Sequence, residues 1–240
     1  VVDNTWELEK FIPFKHRVGL LLRISFQNPD AMIDLSSKFG CSLKEAPLLL
    51  RKAHKLGVHV KGLSFHVGSQ CPDGSYHAQA IRACSKLIQQ QWENHHRLLS
   101  ILDIGGGFPV DYVNSALSIS EFCSPIRGAI DALPTSVSVW AEPGRYFSAP
   151  IGKTLSCVMG KSRRGNTSWY FLDDGIYGSY SGQIFDHAEY PIEIFSDQTT
   201  FTSSTLAGPT CDSIDVIAKN VQLPELNIGD IVIGHQMGAY

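Results

Sequence analysis

The sequence predicts an α/β unit over residues 1–147, built like half of a (β/α)8 barrel, followed by a β-domain over residues 148–240. Three observations predict it. Before residue 147, apolar runs of strand length alternate four times with segments of helical periodicity, which means a parallel sheet with right-handed crossovers. After Tyr146 helical periodicity stops, and short alternating segments separated by glycine and proline take over. In the first part, the residues with chemistry to offer (Arg23, His66, Ser69, Gly105 to Gly107, Glu142 and Arg145) all fall at the C-terminal ends of strands, where a β/α barrel builds its sites.

The elements follow in order. Val1-Val2-Asp3 reads as the tail of a strand. Asn4 or Thr5 caps a helix with apolar positions Trp6, Leu8, Phe11 and Ile12, and Pro13 lies near its end. Val18 to Ile24 is a nearly continuous apolar run with one charge, Arg23, as in strands buried on both faces. Asn28-Pro29 has the look of a helix start and Gly40 of a stop, with the stretch between them ambiguous. Ser42-Leu43-Lys44-Glu45 is a capping box; Ala46, Leu49, Leu50, Ala53 and Leu56 follow at helical spacing until Gly57. Val58 to Val67 is the next strand, and residues 75–96 are a long helix with Ile81, Cys84, Ile88 and Trp92 on one face. Leu98 to Ile104 is a strand. Ser118-Ile119-Ser120-Glu121 is a second capping box, leading a helix with Phe122, Ile126, Ala129 and Leu133; Val137 to Ala141 is a further strand. Beyond the boundary, β-segments are expected at Ile151 to Val158, Trp169 to Leu172, Pro191 to Phe195 and Asp230 to Ile233, with Arg163-Arg164 at a solvated hairpin tip.

Composition narrows the function classes. With 240 residues, 43% hydrophobic, 18% charged and a net charge of −3, the chain has globular composition and no dense basic face for nucleic acid. No apolar run reaches transmembrane length, so no membrane role is expected. The six cysteines are scattered without a C-x-x-C pair, which points to reduced thiols in a cytoplasmic protein and to neither a disulfide frame nor a zinc site.

Three strand ends carry the chemistry. In Asp103-Ile104-Gly105-Gly106-Gly107-Phe108-Pro109 three glycines let a ligand approach the backbone closely and leave amide N–H groups to face it; a phosphate is the natural occupant of such a nest. Taken alone, this is also a flexible turn. Phe65-His66-Val67-Gly68-Ser69-Gln70 and Ala141-Glu142-Pro143-Gly144-Arg145-Tyr146 end strands in the same way. Glu142 is costly at a strand end unless paired, either with Arg145 three residues on or with a cationic ligand atom while Arg145 takes a phosphate. Gly208-Pro209-Thr210-Cys211-Asp212 and Asp186-His187 read singly as ordinary turns.

Together, and in this order, these motifs resemble the alanine-racemase-like basic amino acid decarboxylases, most similar to the ornithine decarboxylase branch. Asp174-Gly175-Ile176-Tyr177-Gly178-Ser179 and Met237-Gly238-Ala239-Tyr240 extend the match over essentially the whole chain. The resemblance implies pyridoxal 5'-phosphate as cofactor and a barrel paired with a β-domain. It also implies a cofactor phosphate held by Gly105, Gly106, Gly107, Gly144 and Arg145, with hydroxyls from Ser69 and Tyr240. Glu142 would face the pyridine nitrogen and favour its protonated, electron-withdrawing form. His66 would stack on the ring, with Arg23 in the surrounding polar network. Asp186 and Asp212 would receive the distal ammonium of a diamino acid, and Cys211 would return a proton to its α-carbon. The Cys211-Asp212 pair would come from the partner subunit of a homodimer with shared sites, braced by Lys38 against Asp215 across the interface.

Decarboxylation of ornithine to putrescine, in polyamine biosynthesis, is the activity implied; lysine is the alternative substrate, one methylene longer and separable by only ~1–3 kcal/mol. A non-catalytic relative resembling antizyme inhibitors is the other alternative, against which the retained chemistry argues. The family's cofactor-bearing lysine has no counterpart here, and four strand–helix units are half a closed barrel. The sequence therefore reads as a segment truncated at both ends, inactive by itself.

Overall fold

The computed structural model describes residues 1–112, 117–195 and 198–240. By its contacts the chain divides into two compact units, Val1–Pro109 with Ala116–Pro143, and Val110–Ser115 with Gly144–Tyr240.

The first unit is a parallel sheet, β1 (Leu20–Ser25), β2 (Val60–His66), β3 (Ile101–Asp103) and β4 (Ser138–Trp140), in that spatial order. Val2 bridges Leu22 in parallel, so the strand-tail reading of the first residues holds. The connections carry α2 (Ala46–Leu56), α3 (Ser75–His95) and α4 (Ile119–Ile130), after a short α1 (Thr5–Lys10). Strand alternation puts Leu22 and Ile24, Leu63 and Phe65, Leu102 and Ile104 on one face, and all six are buried. Those side chains, with the stripes of α2, α3 and α4, are the core.

Both capping boxes form. Ser118 Oγ accepts from Glu121 N while the Glu121 carboxylate accepts from Ser118 N, and Ser42 and Glu45 exchange the same bonds one turn ahead of α2. Gly57 closes α2 at φ +70°, where glycine carries no Cβ penalty. Replacing the fully buried Leu102 with alanine is expected to cost about 2–5 kcal/mol. A fall in the thermal midpoint of the whole protein checks this, and an unchanged midpoint would mean that the sheet does not carry the core.

Four expectations are corrected here. Helix α1 ends at Lys10, because a 3-10 turn through Pro13 (Ile12–Phe14) replaces its continuation; only Leu8 is buried, and Trp6 is 77% exposed. The stripe of α3 runs through Ile81, Cys84, Ile88 and Gln91, so Trp92 turns outward and packs edge-on against His96. Residues 28–40 form no helix: Asn28 Oδ1 accepts from Asp30 N in a local turn while its amide donates to Val67 O at 2.7 Å, spending a cap residue on a tertiary anchor. Leu133 falls beyond the end of α4.

The second unit holds α5 (Gly144–Ser148), α6 (Gly182–Asp186) and a six-stranded sheet. Its strands are β5 (Thr154–Arg164), β6 (Thr167–Leu172), β7 (Ile192–Ile194), β8 (Phe201–Ala207), β9 (Val216–Pro224) and β10 (Ile231–Gly234), in spatial order β7-β10-β5-β6-β8-β9. Pairing is antiparallel except between β6 and β8. Arg163 and Arg164 do flank a hairpin tip, where Gly165 takes φ +61° and Arg164 stacks on Trp169. Val158, Tyr170, Leu172, Leu206, Ile217 and Val232 form the core of this unit. The sequence did not single out β8 and β9. Ser204 and Thr205 of β8 are buried hydroxyl residues, and Ser204 Oγ donates to Thr202 O at 3.0 Å, so burial there does not produce an apolar pattern.

Candidate active site

In the first unit the polar groups share one face of the sheet. Arg23 is paired with Ser64, Ser64 with Asp103, and Asp103 with Trp140, which makes one row across four strands; two residues further along, Ser25 is paired with His66. Residues in register point the same way. Arg23, Ser64, Asp103 and His66 thus stand opposite the apolar face, and Ser64 Oγ is buried there without a hydrogen-bond partner among the described residues.

The glycine turn follows directly from Asp103. Gly105 and Gly107 have φ of +66° and +93°, the left-handed region that glycine enters freely. All three carbonyls are held: Gly105 O accepts from Glu142 N at 2.8 Å, Gly106 O from His77 Nε2 at 3.0 Å and Gly107 O from Cys71 N at 2.9 Å. Gly105 N donates to the Asp103 carboxylate at 2.9 Å. For the N–H groups of Gly106 and Gly107 no acceptor is found among the described residues. Side chains are excluded throughout: a Cβ would lie 2.2 Å from Phe65 O at Gly105, 2.8 Å from Glu142 O and 2.9 Å from His66 Nε2 at Gly106, and 2.4 Å from Gly68 O at Gly107.

Gly68 N donates to His66 Nδ1 at 3.0 Å, so the imidazole presents Nε2–H toward Gly106. Burial, reinforced by Arg23 and partly opposed by Asp103, lowers the His66 pKa to about 4. Glu142 is exposed on the same side; partial burial of its carboxylate and the nearby Asp103 raise its pKa, and Arg23 opposes them. Ser69 is half-buried, with its N–H on Ile33 O.

His77, which sequence reading did not single out, is also lowered to about 4 by burial. Its spacing ahead of Ile81 and Cys84 on the buried stripe of α3 was the available signal. Both histidines bind protons less readily than in the unfolded chain, where the value is about 6.5. Stability is therefore expected to fall as pH drops from about 6.5 to about 4 and then to level with respect to these groups. Urea midpoints of the whole protein across that window test this, and His77→Phe should flatten the slope; an unaltered slope would contradict it.

The second unit gathers Arg145, Asp186 and Tyr240. Arg145 is buried, forms an ion pair with Asp186, accompanied by a 2.8 Å hydrogen bond to Tyr112 Oη, and has its guanidinium 4.7 Å from the centre of the Tyr240 ring. Tyr112, too, was not singled out from the sequence. A methyl added at Gly144 would meet nothing within 4 Å.

Cys211 and Asp212 lie on an exposed loop shaped by Asp215. The buried Asp215 carboxylate accepts from Ile176 N at 3.0 Å and from Thr210 N and Oγ1 at 3.0 and 2.7 Å, so it serves its own chain. Asp212 accepts from Tyr177 Oη at 2.5 Å and from Ile214 N at 3.1 Å, and the tyrosine hydrogen bond chiefly holds its carboxyl below the ordinary range.

Comparison with known proteins agrees with this geometry. Residues 1–149 match the family model for the pyridoxal-dependent decarboxylase, pyridoxal binding domain. The lysine/ornithine decarboxylase of Selenomonas ruminantium is 38% identical over 239 residues, covering 99% of this chain and 60% of that protein. Antizyme inhibitor 2 of Xenopus laevis is 38% identical over 258 residues, covering 99% and 56%. The solved structure of Vibrio vulnificus lysine/ornithine decarboxylase complexed with cadaverine is 47% identical with a TM-score of 0.93, over 100% of this chain and 62% of that one. The chain thus spans about 60% of the length of these relatives. A glycine cradle at a strand end, set in a parallel α/β sheet and followed by a β-domain, is the framework of the pyridoxal-dependent decarboxylases, and this chain belongs to that family.

Proposed function

We propose that the whole protein decarboxylates a basic amino acid of the ornithine and lysine type, with pyridoxal phosphate as cofactor. The observation that carries this reading is the cradle. Gly106 and Gly107 present N–H groups with no protein acceptor among the described residues, in a turn packed so closely against Glu142 O, His66 and Gly68 O that only glycine fits. The remaining residues are of the chemical types that the group needs. Ser69 and Tyr240 supply hydroxyls, Gly144 leaves its surroundings open, and Arg145 supplies a cation. Glu142 supplies a carboxylate to the pyridine nitrogen, and the neutral His66 a flat ring beside Gly106. When bound, the cofactor draws electrons from the bond to the departing carboxylate.

The protein's own residues do the rest. Asp186 and Asp212 receive the distal ammonium, Asp212 being kept ionised by Tyr177, while Cys211 delivers a proton to the α-carbon. Arg145 and Asp186 neutralise one another in the chain alone, so the phosphate and the ammonium take up charges that are otherwise paired together. We assign both lysine and ornithine as substrates, a broader reading than ornithine alone, because relatives named lysine/ornithine decarboxylase match over nearly the whole chain. The proposal includes a homodimer sharing Cys211 and Asp212 between subunits, a cytoplasmic location, and a division into barrel half (1–147) and β-domain (148–240).

The match to antizyme inhibitor 2 supports a second reading, a binding protein without catalysis. Such a protein gains nothing from keeping a phosphate cradle, a pyridine partner and a thiol together. Borohydride reduction of the whole protein with pyridoxal phosphate, followed by peptide mapping, separates the two. A pyridoxyl-lysine with carbon dioxide release from ornithine and lysine is expected. No adduct on the folded protein would favour the binding-only reading.

A further inference from the structure

The two N–H groups of the cradle are useful to an anion only if their directions are fixed. In a trans peptide the C=O and the following N–H point to opposite sides of the chain. Whatever holds the Gly106 carbonyl therefore aims the Gly107 N–H. That group is a side chain on another element: His77 of α3, fully buried, with Nε2 3.0 Å from Gly106 O. A carbonyl only accepts, so Nε2 carries a proton, and burial keeps the ring neutral. Its Nδ1 is buried with no partner among the described residues. Placing an imidazole here with one nitrogen unsatisfied is costly. Phe108, Phe122 and Phe65 surround the ring, with centroids 5.2, 5.6 and 6.4 Å away. A phenyl ring would suit that box better for packing alone.

We propose that His77 is a positioning residue for the cofactor-phosphate site: its Nε2–H fixes the Gly106–Gly107 peptide so that the Gly107 N–H faces the anion. The inference rests on the proposed pyridoxal-phosphate site and adds to it a residue that never touches the ligand. Cys71 N on Gly107 O and Glu142 N on Gly105 O secure the neighbouring peptides through backbone and the Asp103 carboxylate holds Gly105 N, which leaves the Gly106 carbonyl to the His77 side chain.

The test uses the whole protein, with His77→Phe, which keeps the packing and removes the donor, and His77→Gln, which keeps a donor of similar reach. Three quantities are measured: the pyridoxal-phosphate dissociation constant of the apoprotein, the thermal midpoint, and hydrogen exchange in the peptide spanning residues 104–108 without cofactor. His77→Phe is expected to weaken cofactor binding by roughly 10- to 100-fold, the worth of one charge-assisted hydrogen bond, and to speed exchange in that peptide while the midpoint stays level or rises. His77→Gln should recover most of the affinity. Wild-type affinity in His77→Phe would overturn the proposal, as would losses in both variants that merely track their midpoints. Failure of the unaltered protein to bind the cofactor would sink the functional reading instead. In that case unchanged exchange at residues 104–108 in His77→Phe would still overturn the role of His77, and faster exchange would uphold its hold on the peptide.

Discussion

Alanine at position 105 is expected to remove pyridoxal-phosphate binding almost completely. Gly105 sits at φ +66°, and a Cβ there would lie 2.2 Å from the carbonyl oxygen of Phe65, part of the rigid end of β2. Neither atom is the free end of a side chain, so the turn itself must move. Movement breaks the hold of Glu142 N on Gly105 O, which aims the Gly106 N–H, and disturbs the next peptide with it. Loss of two N–H groups directed at a phosphate corresponds to a fall in affinity of about 10²- to 10⁴-fold. The control is built into the same chain: Gly128, exposed on α4 and assigned no part in the site, has nothing within 4 Å of an added methyl, so Gly128→Ala should bind the cofactor within ~3-fold of the unaltered protein, as ordinary surface substitutions do. Titration of the two apoproteins with cofactor decides. Equal affinities would remove Gly105 to Gly107 from the phosphate site.

Replacement of Cys211 by alanine is expected to lower turnover by roughly 10²- to 10⁴-fold, the usual worth of a placed proton donor, with cofactor affinity unaffected. Cys211 lies on the exposed loop held by Asp215 and has no part in holding the phosphate, so binding and chemistry should separate cleanly. Turnover equal to that of the unaltered protein would exclude the thiol. The same variant tests the shared-site dimer. Mixed with Glu142→Gln after dissociation and reassociation, it should restore about 25% of full activity, since half of the dimers are hybrids with one intact site of two. Proven subunit exchange without recovery would place both residues in one chain's site.

How far the sequence carried these conclusions depends on what each residue answers to. The four strand–helix units, both capping boxes and the Gly57 stop were legible because apolar period and local hydrogen bonds decide them. Asn28 misled because its amide group answers to Val67, 39 residues away, and Trp92 because a large ring at the right period still turned outward. β8 was hidden by buried hydroxyl residues, of which Ser204 is satisfied locally by Thr202 O. At the site, Gly105 to Gly107, His66 and Glu142 announced themselves as strand-end residues. His77 and Tyr112 did not, for each acts through one tertiary hydrogen bond, to Gly106 and Arg145, that no spacing in the sequence encodes.

The order of the β-domain strands has a consequence for how the protein is made. β10, at residues 231–234, lies between β7 and β5 and is hydrogen-bonded to both. An interior strand of the sheet is thus synthesised well after the part of β5 that it pairs with, Ile231 lying opposite Cys157, 74 residues earlier. During translation β5 and β7 wait with open edges until residue 234 has left the ribosome, and long-range pairing of this kind folds slowly. Nascent chains stalled before β10 should consequently aggregate more readily than chains stalled far enough beyond it to free the strand.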